Sequence, residues 1–424
     1  MTTCAVILAG GKGSRSADPM VPKVAQEIGG KSLLEWQLEL IRSTDIEQVF
    51  IVTGHLGSEV KDLIESIPAT NLKVKIIHEE LPQGTVNAVK EVSQESDFDS
   101  FVVLLGDVLA CLPLQGFIDS FVSSKKGVGV VVHPSTHPQD SDLVFQNHAG
   151  VVVVSPKGGS SLGIPNMASA GLFIVRDSAL ENYFQARDIG SDLLALAAGR
   201  NDLFAYISSH YLKDTGTPDR LAHARADAAA GVFERRGTSA PRPVIFLDRD
   251  GVLNPVQPEI YRAADYHLIQ GVAEVISEVN STGIPVIVVT NQPGIAKGQM
   301  TCETHEEIRA QLDRQLAGGG AFVDDYYYCP HHPDSGFEGE VASLKISCEC
   351  RKPGSGMALA AASRHGIDLE NSFVIGDTAR DQGLAEIINA NFVHVLGACD
   401  LPGEHACFGD TASAIRHAMK ELAC

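Results

Sequence analysis

Two aspartates that follow an apolar run are the first residues in this sequence that could do chemistry. Asp248 and Asp250 lie in the segment VIFLDRDG, which begins at Val244. In open α/β sheets ligands bind at the carboxyl ends of strands, and extended side chains two positions apart point the same way. Two carboxylates aimed at one point repel each other and need a cation or a shared proton between them. The pair predicts a metal-assisted reaction at a strand end.

Polar residues follow three further segments of the second half of the chain. IPVIVVTN ends in Thr290 and Asn291, CECRKPG contains Arg351 and Lys352, and SFVIGD ends in Asp377. Carboxylates, hydroxyl and amide groups and cations at successive element ends suit a phosphate group together with Mg²⁺. The sequence therefore predicts phosphoryl chemistry at this edge of a sheet.

The parts predict a phosphatase mechanism. Asp248 would attack phosphorus to give an aspartyl phosphate, and Asp250 would protonate the leaving alcohol and then activate water. Lys352 and an Mg²⁺ ion held by Asp248, Asp250 and Asp377 would neutralise the transferring group. The remaining groups would bind the substrate and its phosphate: Thr290, Asn291 and Arg351.

A cysteine cluster lies just before the Arg–Lys pair. Cys329, His331, Cys348 and Cys350 form two close pairs separated by a loop, which fits a tetrahedral Cys₃His zinc site. His332 is a competing ligand, and free thiols or a redox pair are the alternatives to zinc. Four protein ligands leave no position for water, so the predicted zinc is structural. It would position the two cations that follow the last cysteine.

The amino terminus contains a second candidate phosphate site, AVILAGGKGSRSADPMVPK (residues 5–23). The glycines do not fit the P-loop pattern, because no second Gly is followed by Lys and Ser or Thr. They do not fit the dinucleotide pattern either, because residue 16 is Ser. Backbone N–H groups of a glycine loop can hold a triphosphate, and cations can neutralise it. The candidates are Gly10, Gly11, Gly13, Arg15 and Lys23.

Short β-branched runs alternate with amphipathic stretches along the whole chain, which predicts α/β folding with largely parallel sheets. The first such series runs from AVILAG (5–10) to AGVVVVS (149–155), and a helix is predicted over 217–232. A Gly/Ser/Pro-containing stretch precedes a fresh series that starts at VIFLD (244–248). We therefore expect two α/β domains, 1–234 and 244–424, joined by a linker at 235–243.

The charge and the apolar content of the chain limit the kinds of partner that it can bind. The net charge of −20 argues against nucleic-acid binding, and no apolar run is long enough for a transmembrane helix. The amino terminus does not resemble a secretory signal, so we expect a cytoplasmic protein with small-molecule substrates and no membrane partner. A homo-oligomer is left open.

The order DRDG, TN, RKP and GD resembles the haloacid dehalogenase (HAD) phosphatase superfamily over roughly residues 243–424. It is similar to the branch that contains heptose-bisphosphate and histidinol-phosphate phosphatases, and NQPGIAKG (291–298) is closer to the heptose enzymes. The resemblance implies a HAD-like Rossmannoid fold with a zinc loop directly before RKP. Many relatives carry a lysine after the last acid, where this chain has Thr378, so Lys352 would supply the cation.

The first half resembles the sugar-1-phosphate nucleotidyltransferases over about residues 1–230. Beyond the glycine loop, the similar segments are LPQGTVNAV, LLGD, SAGLFIV and KDTGTPDRL. The resemblance implies a Rossmann-like, GT-A-like fold and Mg²⁺ held by Asp107 and Asp214. It also implies substrate contacts at Gly84, Thr85 and Gly171. Ser16 and Ala17 depart from the family pattern, and the spacing from Arg15 to Lys23 is closer to the uridylyltransferases, which leaves the base open.

Together the two resemblances imply consecutive steps. The phosphatase would convert D-glycero-D-manno-heptose 1,7-bisphosphate to heptose 1-phosphate, and the nucleotidyltransferase, similar to heptose-1-phosphate guanylyltransferases, would transfer a nucleotide from an NTP. By analogy GMP is favoured. The alternatives are another phosphatase substrate such as histidinol phosphate, another sugar or base, and a first domain that binds nucleotide without turnover.

Overall fold

The computed structural model describes residues 2–11, 20–68, 71–158, 163–237, 240–256, 259–395, 401, 403 and 405–423. Its contacts divide the chain into two compact units, with the main boundary after Gly237. The short segments 134–140 and 163–167 group with the second unit.

The first unit contains thirteen strands and eight α-helices among its described residues. The strands are β1 (Thr3–Leu8), β2 (Glu27–Ile28), β3 (Lys31–Ser32), β4 (Gln48–Thr53), β5 (Lys73–His78), β6 (Ser100–Leu105), β7 (Val108–Cys111), β8 (Val128–His133), β9 (Leu143–Gln146), β10 (Val152–Ser155), β11 (Ala168–Arg176), β12 (Leu203–Ile207) and β13 (Tyr211–Asp214). The helices are α1 (Leu33–Arg42), α2 (Gly57–Ser66), α3 (Thr85–Gln94), α4 (Leu114–Ser124), α5 (Asp177–Asn182), α6 (Leu194–Gly199), α7 (Pro218–Ala229) and α8 (Val232–Gly237).

The main sheet of this unit is mixed. It runs β10-β9-β11-β6-β1-β4-β5, and β8 pairs with both β11 and β12. Strands β6, β1, β4 and β5 are parallel neighbours, whereas β11 is antiparallel to β6, β8 and β9. A separate antiparallel pair, β13 and β7, joins the segments that end at Asp214 and begin after Asp107. The expectation of a largely parallel sheet therefore describes only the amino-terminal part.

The second unit is built on a parallel sheet of six strands in the order β16-β15-β14-β17-β18-β19. The strands are β14 (Ile245–Leu247), β15 (Val286–Asn291), β16 (Asp325–Cys329), β17 (Phe373–Gly376), β18 (Asn391–Val395) and β19 (Ala406–Phe408). The helices are α9 (Val272–Thr282), α10 (Cys302–Gly318), α11 (Gly356–His365), α12 (Ala379–Ile388) and α13 (Thr411–Ala423).

Helices cover both faces of this sheet, which explains the unbroken apolar run before Asp248. Ile245 and Leu247 belong to a core formed with residues of α9, α10 and α13. Val244 and Phe246 face the opposite core, which includes residues of α11 and α12. Alternate side chains are thus buried on opposite faces, as expected for a parallel strand that is covered on both sides. Packing on both faces holds β14 in place, and Asp248 follows directly at its carboxyl end.

Two sequence predictions need adjustment. The helix predicted over 217–232 corresponds to α7, which ends at Ala229, and residues 235–237 of the predicted linker belong to the next helix, α8, which begins at Val232. Among the described residues, no helix combines the length and apolar character needed to cross a membrane.

Candidate active sites

Three carboxylates meet at the carboxyl edge of the second sheet. Asp248 follows β14, Asp377 follows β17, and Asp381 lies in the first turn of α12. Each offers an oxygen, and these oxygens lie within 4.8 Å of one another. Gly376 permits this approach, because a Cβ there would stand 2.2 Å from the Asp381 Cβ. An all-oxygen donor set of this kind suits Mg²⁺.

Lys352 is the buried cation of this site, with 2% of its side chain exposed. Its Nζ lies 2.5 Å from Asp381 Oδ1 and 3.0 Å from Asp248 Oδ1, and donates to the Val289 carbonyl at 2.8 Å. Burial alone would lower the pKa of Lys352, but the charges of Asp248 and Asp381 raise it overall. The sequence prediction named Lys352 and did not include Asp381 among the site residues.

The Asp250 side chain is engaged elsewhere. Arg249 Nη2 donates to both Asp250 carboxylate oxygens, at 2.8 and 2.9 Å. Gln292 and Asn254 donate one further hydrogen bond each, both at 2.9 Å. The structure therefore brings Asp381, and not the predicted Asp250, together with Asp248 and Asp377. The reason is the neighbouring Arg249, which sequence reasoning missed, although its place between two aspartates was a signal.

The surroundings of these carboxylates shift their pKa values in different directions. Burial raises the pKa of Asp248 to about 7, against the opposing charge of Lys352. Burial and the charge of Asp381 raise the pKa of Asp377 to about 6. Burial alone would raise the pKa of Asp250, but the charge of Arg249 and hydrogen bonds from Asn254, Arg249 and Gln292 hold it below the ordinary value. Carboxylates whose pKa values are shifted in opposite directions are typical of sites in which each acid has a distinct acid–base role.

The predicted polar residues support this arrangement in different ways. Asn291 Nδ2 donates to the Lys352 carbonyl at 3.1 Å, and Asn291 Oδ1 accepts from the Lys352 N–H at 2.9 Å. Thr290 is buried and its Oγ1 accepts a hydrogen bond from Gln292. Arg351 donates to the His331 carbonyl at 3.3 Å. Asn291 thus holds the backbone of the buried cation.

The cysteine cluster converges as predicted. The Sγ atoms of Cys329, Cys348 and Cys350 and the Nδ1 atom of His331 lie within 4.8 Å of one another. Five of the distances between these atoms run from 3.2 to 3.6 Å. His332 accepts instead from the Asp334 N–H and is not in the cluster. Three thiols and one imidazole form a donor set that fits a structural zinc ion.

The first unit brings three of its predicted residues together. Lys23, which begins a short 3₁₀ helix, lies 2.6 Å from Asp107 Oδ2. Asp214 ends β13 and pairs with Arg220. A Cβ on Gly216 would stand 2.7 Å from Asp107 Oδ2 and 2.9 Å from Asp214 Oδ1, so both carboxylates border this glycine. The two predicted Mg²⁺ ligands are therefore neighbours.

Two further features fix the turn that carries Asp107. Gln37, buried in α1, donates to the Leu105 and Val108 carbonyls at 2.9 Å each. Gly171 has a positive φ of 71°, and a Cβ there would stand 2.6 Å from the Val108 side chain. A glutamine on the apolar face of a predicted helix was the signal that could have identified Gln37.

The other predicted residues lie at different places. Gly84 precedes α3 with φ 108°, and a Cβ there would stand 2.3 Å from the Arg187 carbonyl oxygen. Thr85 donates to Asp188 at 3.0 Å, so these two residues contact the 187–189 segment. Gly10 and Gly11 follow β1, and Gly10 lies against Gly54. The remaining two candidates, Gly13 and Arg15, are outside the described residues.

Comparison with known proteins assigns both units. The nucleotidyl transferase family profile matches residues 4–231, which is more than half of the 424-residue chain. A HAD-hydrolase-like profile matches residues 349–408.

Individual relatives match the second unit. The D-glycero-beta-D-manno-heptose-1,7-bisphosphate 7-phosphatase of Yersinia pestis is 39% identical over 147 residues, 35% of this chain and 76% of the relative. The phosphatase of the same description from Escherichia coli K12 is 37% identical over 147 residues, 35% of this chain and 75% of the relative.

Among solved structures, HddC from Yersinia pseudotuberculosis, solved with GMP-PN, overlays 53% of this chain and 98% of its own at 23% identity and a TM-score of 0.44. The chain belongs to the nucleotidyl transferase family through its first unit and to the HAD-type heptose-bisphosphate phosphatases through its second.

Proposed function

We propose that this enzyme catalyses two consecutive steps of nucleotide-heptose synthesis. The second unit removes the C7 phosphate of D-glycero-D-manno-heptose 1,7-bisphosphate, and the first transfers a nucleotide to the resulting heptose 1-phosphate. The supporting observation is that a heptose-bisphosphate phosphatase unit and a nucleotidyl transferase unit occur in one chain. The phosphatase relatives are named for a reaction that releases a sugar 1-phosphate, which is the substrate class suggested for the first unit.

In the phosphatase unit, Asp248 attacks the C7 phosphorus, so that an O–P bond forms and the bond to the C7 oxygen breaks. Asp250 gives its proton to that oxygen and later removes one from the hydrolytic water. Its hydrogen bonds to Arg249, Gln292 and Asn254 favour the ionised form required in the second half. Lys352 neutralises charge beside the nucleophile.

An Mg²⁺ ion would be held by Asp248, Asp377 and Asp381, whose clustering and raised pKa values at Asp248 and Asp377 fit a site built for a divalent cation. When bound, it supplies charge neutralisation to the phosphate oxygens. A structural zinc ion would be held by Cys329, His331, Cys348 and Cys350, and with four protein ligands it would take no direct part in the reaction.

In the first unit, an oxygen of heptose 1-phosphate attacks the α-phosphorus of an NTP and pyrophosphate leaves. The nucleophile is already anionic, so positioning and charge neutralisation carry the catalysis. Asp107 and Asp214 would hold Mg²⁺, and Lys23, now paired with Asp107, would move to a phosphate oxygen. Arg15 is proposed as the second cation of the loop.

GTP is the proposed nucleotide and GDP-D-glycero-α-D-manno-heptose the proposed product. The phosphatase relatives are named for the β anomer, so the anomer is part of the test. The decisive experiment incubates each of the common NTPs with α- or β-heptose 1-phosphate and measures pyrophosphate. Release restricted to GTP with the α anomer supports the proposal. Release with another base or with the β anomer alone contradicts it.

The same protein is tested for phosphate release from heptose 1,7-bisphosphate and from histidinol phosphate. Asp248→Asn should abolish phosphate release and leave pyrophosphate release unchanged, because the nucleophile belongs only to the phosphatase. Loss of both activities would contradict two independent sites, and preference for histidinol phosphate would contradict the heptose assignment.

A further inference from the structure

The second sheet carries two histidines and a cysteine at the opposite edge from the cysteine cluster. His394, His405 and Cys407 each offer one ligand atom, and these atoms lie within 4.8 Å of one another. His394 and Cys407 are direct partners in the parallel pair β18 and β19, so their side chains lie on the same face of the sheet. His405 lies two residues before Cys407, directly before β19, and alternation brings its side chain to that face as well. The sheet itself therefore assembles the three donors.

The hydrogen bond of His394 leaves its other nitrogen available to a metal ion. His394 Nε2 lies 3.3 Å from the Asp377 carbonyl oxygen, which can only accept, so Nε2 carries the proton. In the neutral ring Nδ1 is then unprotonated, and Nδ1 faces Cys407 Sγ at 3.9 Å. Histidines that bind metals almost always donate their second N–H to a carbonyl, a carboxylate or water in this way. His394 is therefore held in the tautomer that binds a cation.

His405 contributes a buried imidazole nitrogen. Its Nε2 atom is shielded from solvent and has no hydrogen-bond partner within the part of the chain that the structure describes. Buried polar atoms are rarely left without a partner, so this atom requires an explanation. His405 also lines a groove of about 530 Å³, which gives an ion a route to the three residues. A bound cation accounts for both features.

The donor types and their spacing fit zinc. With Zn–N and Zn–S bonds of about 2.0 and 2.3 Å at tetrahedral angles, a nitrogen and a sulfur ligand lie roughly 3.5 Å apart. The 3.9 Å between His394 Nδ1 and Cys407 Sγ is a few tenths of an ångström longer. Imidazole and thiolate together are a typical zinc donor set. We propose that His394, His405 and reduced Cys407 bind a zinc ion whose fourth position is left to water. Zinc binding here does not depend on either of the proposed activities.

Cys407 must be reduced before it binds the ion, because it takes part in a disulfide bond. Its sulfur is a metal ligand only as a thiolate. A dithiol reductant gives two electrons and two hydrogens to this disulfide: the sulfurs of the reductant join, and Cys407 and its former partner become thiols. The Cys407 thiol then releases its proton to solvent as the Zn–S bond forms. The site is therefore open to zinc in the reduced protein and closed in the oxidised protein.

The test counts zinc in the full-length protein, which is freed of metal, reduced with dithiothreitol and then separated from the reductant under nitrogen. After incubation with ZnCl₂ and desalting, elemental analysis should find one more zinc ion per chain in the wild type than in His405→Ala. Cys407→Ser should lose the same ion. His417→Ala is the matched control, because His417 lines the same groove and is not among the three donors. It should bind as much zinc as the wild type.

Equal zinc contents of reduced wild type and reduced His405→Ala would overturn the inference. A difference between these two proteins that is the same before and after reduction would also overturn it, because Cys407 thiolate would not be a ligand. Co²⁺ gives a second readout: the thiolate-to-cobalt absorption band of the reduced wild type should exceed that of Cys407→Ser, and equal bands would contradict a Cys407 ligand. Circular dichroism of each metal-free variant verifies folding.

Discussion

Replacing Lys352 by methionine tests the phosphatase site most directly. The substitution keeps the length of the side chain and removes its charge. It leaves Asp248 and Asp381 without a protein cation, and the Val289 carbonyl without its donor. No other residue of the site changes, so the effect measures what the buried charge contributes.

The contacts set the magnitude. At separations of 2.5 and 3.0 Å, each attraction is roughly 5–7 kcal/mol at an effective dielectric constant of about 20, before desolvation is counted. Removing one partner of a buried pair costs about 3–5 kcal/mol of net stability. Loss of a charge-stabilising group beside the transferring phosphate lowers kcat by about 10²–10³-fold.

The assay measures phosphate release from heptose 1,7-bisphosphate at saturating Mg²⁺, with pyrophosphate release as an internal control for folding. Mg²⁺ should raise the unfolding temperature of Lys352→Met more than that of the wild type, because the uncompensated carboxylates bind a cation more strongly. Lys420→Met makes the same substitution at an exposed residue and should be neutral. A Lys352→Met protein that keeps a third of the wild-type kcat would refute the assignment.

Three further perturbations address other parts of the chain. Gly216→Ala should lower pyrophosphate release at least about tenfold, because its Cβ displaces the two carboxylates that border it; phosphate release should be unchanged. Cys348→Ser should reduce bound zinc, measured by elemental analysis, and lower phosphate release about tenfold while sparing pyrophosphate release. Asp325→Asn should lower the free energy of unfolding by about 3–5 kcal/mol at pH 7, measured by urea denaturation. Burial alone would raise the pKa of Asp325, but its hydrogen bond with His365 holds it well below 3.8. The stability it contributes is therefore present above about pH 4, so the difference from wild type should shrink as pH falls below that value.

Matched variants give these experiments their controls. Gly199→Ala adds a methyl group with no atom within 4 Å, Cys302→Ser removes a cysteine outside the cluster, and Asp265→Asn removes an exposed carboxylate. Unchanged pyrophosphate release in Gly216→Ala would contradict the proposed Mg²⁺ ligands. Full phosphatase activity in zinc-free Cys348→Ser protein would contradict a positioning role for zinc. A difference for Asp325→Asn that stays constant down to pH 3 would contradict the lowered pKa of Asp325.

The sequence predicted the strand ends well because each acid follows a short apolar run. Asp248 and Asp377 lie where a parallel sheet places them, and the cysteine cluster converges because its pairs flank one loop. The antiparallel strand β11 was not anticipated, since alternation of apolar runs does not distinguish its direction from that of its neighbours.

It was harder to predict which side chains meet at one strand end. Periodicity places Asp248 and Asp250 on one side, but it does not include the competition from Arg249, which takes both oxygens of Asp250. Asp381 enters the site because it also caps α12, accepting from the Thr378 N–H and hydroxyl. Arg249 adjoins Asp250 and Thr378 lies three residues before Asp381, so hydrogen-bonding geometry among close neighbours makes these choices, and hydrophobic periodicity does not describe it.

The paired hydrogen bonds from Asn291 to the Lys352 backbone have a consequence for robustness. A carboxamide does not titrate and needs no metal, so this anchor persists across pH and through demetallation. Lys352 is accordingly held from two directions: through the chain that leads from the cysteine cluster, and across the sheet edge by strand β15. Zinc loss should therefore reduce the phosphatase activity without abolishing it, because the support from Asn291 remains.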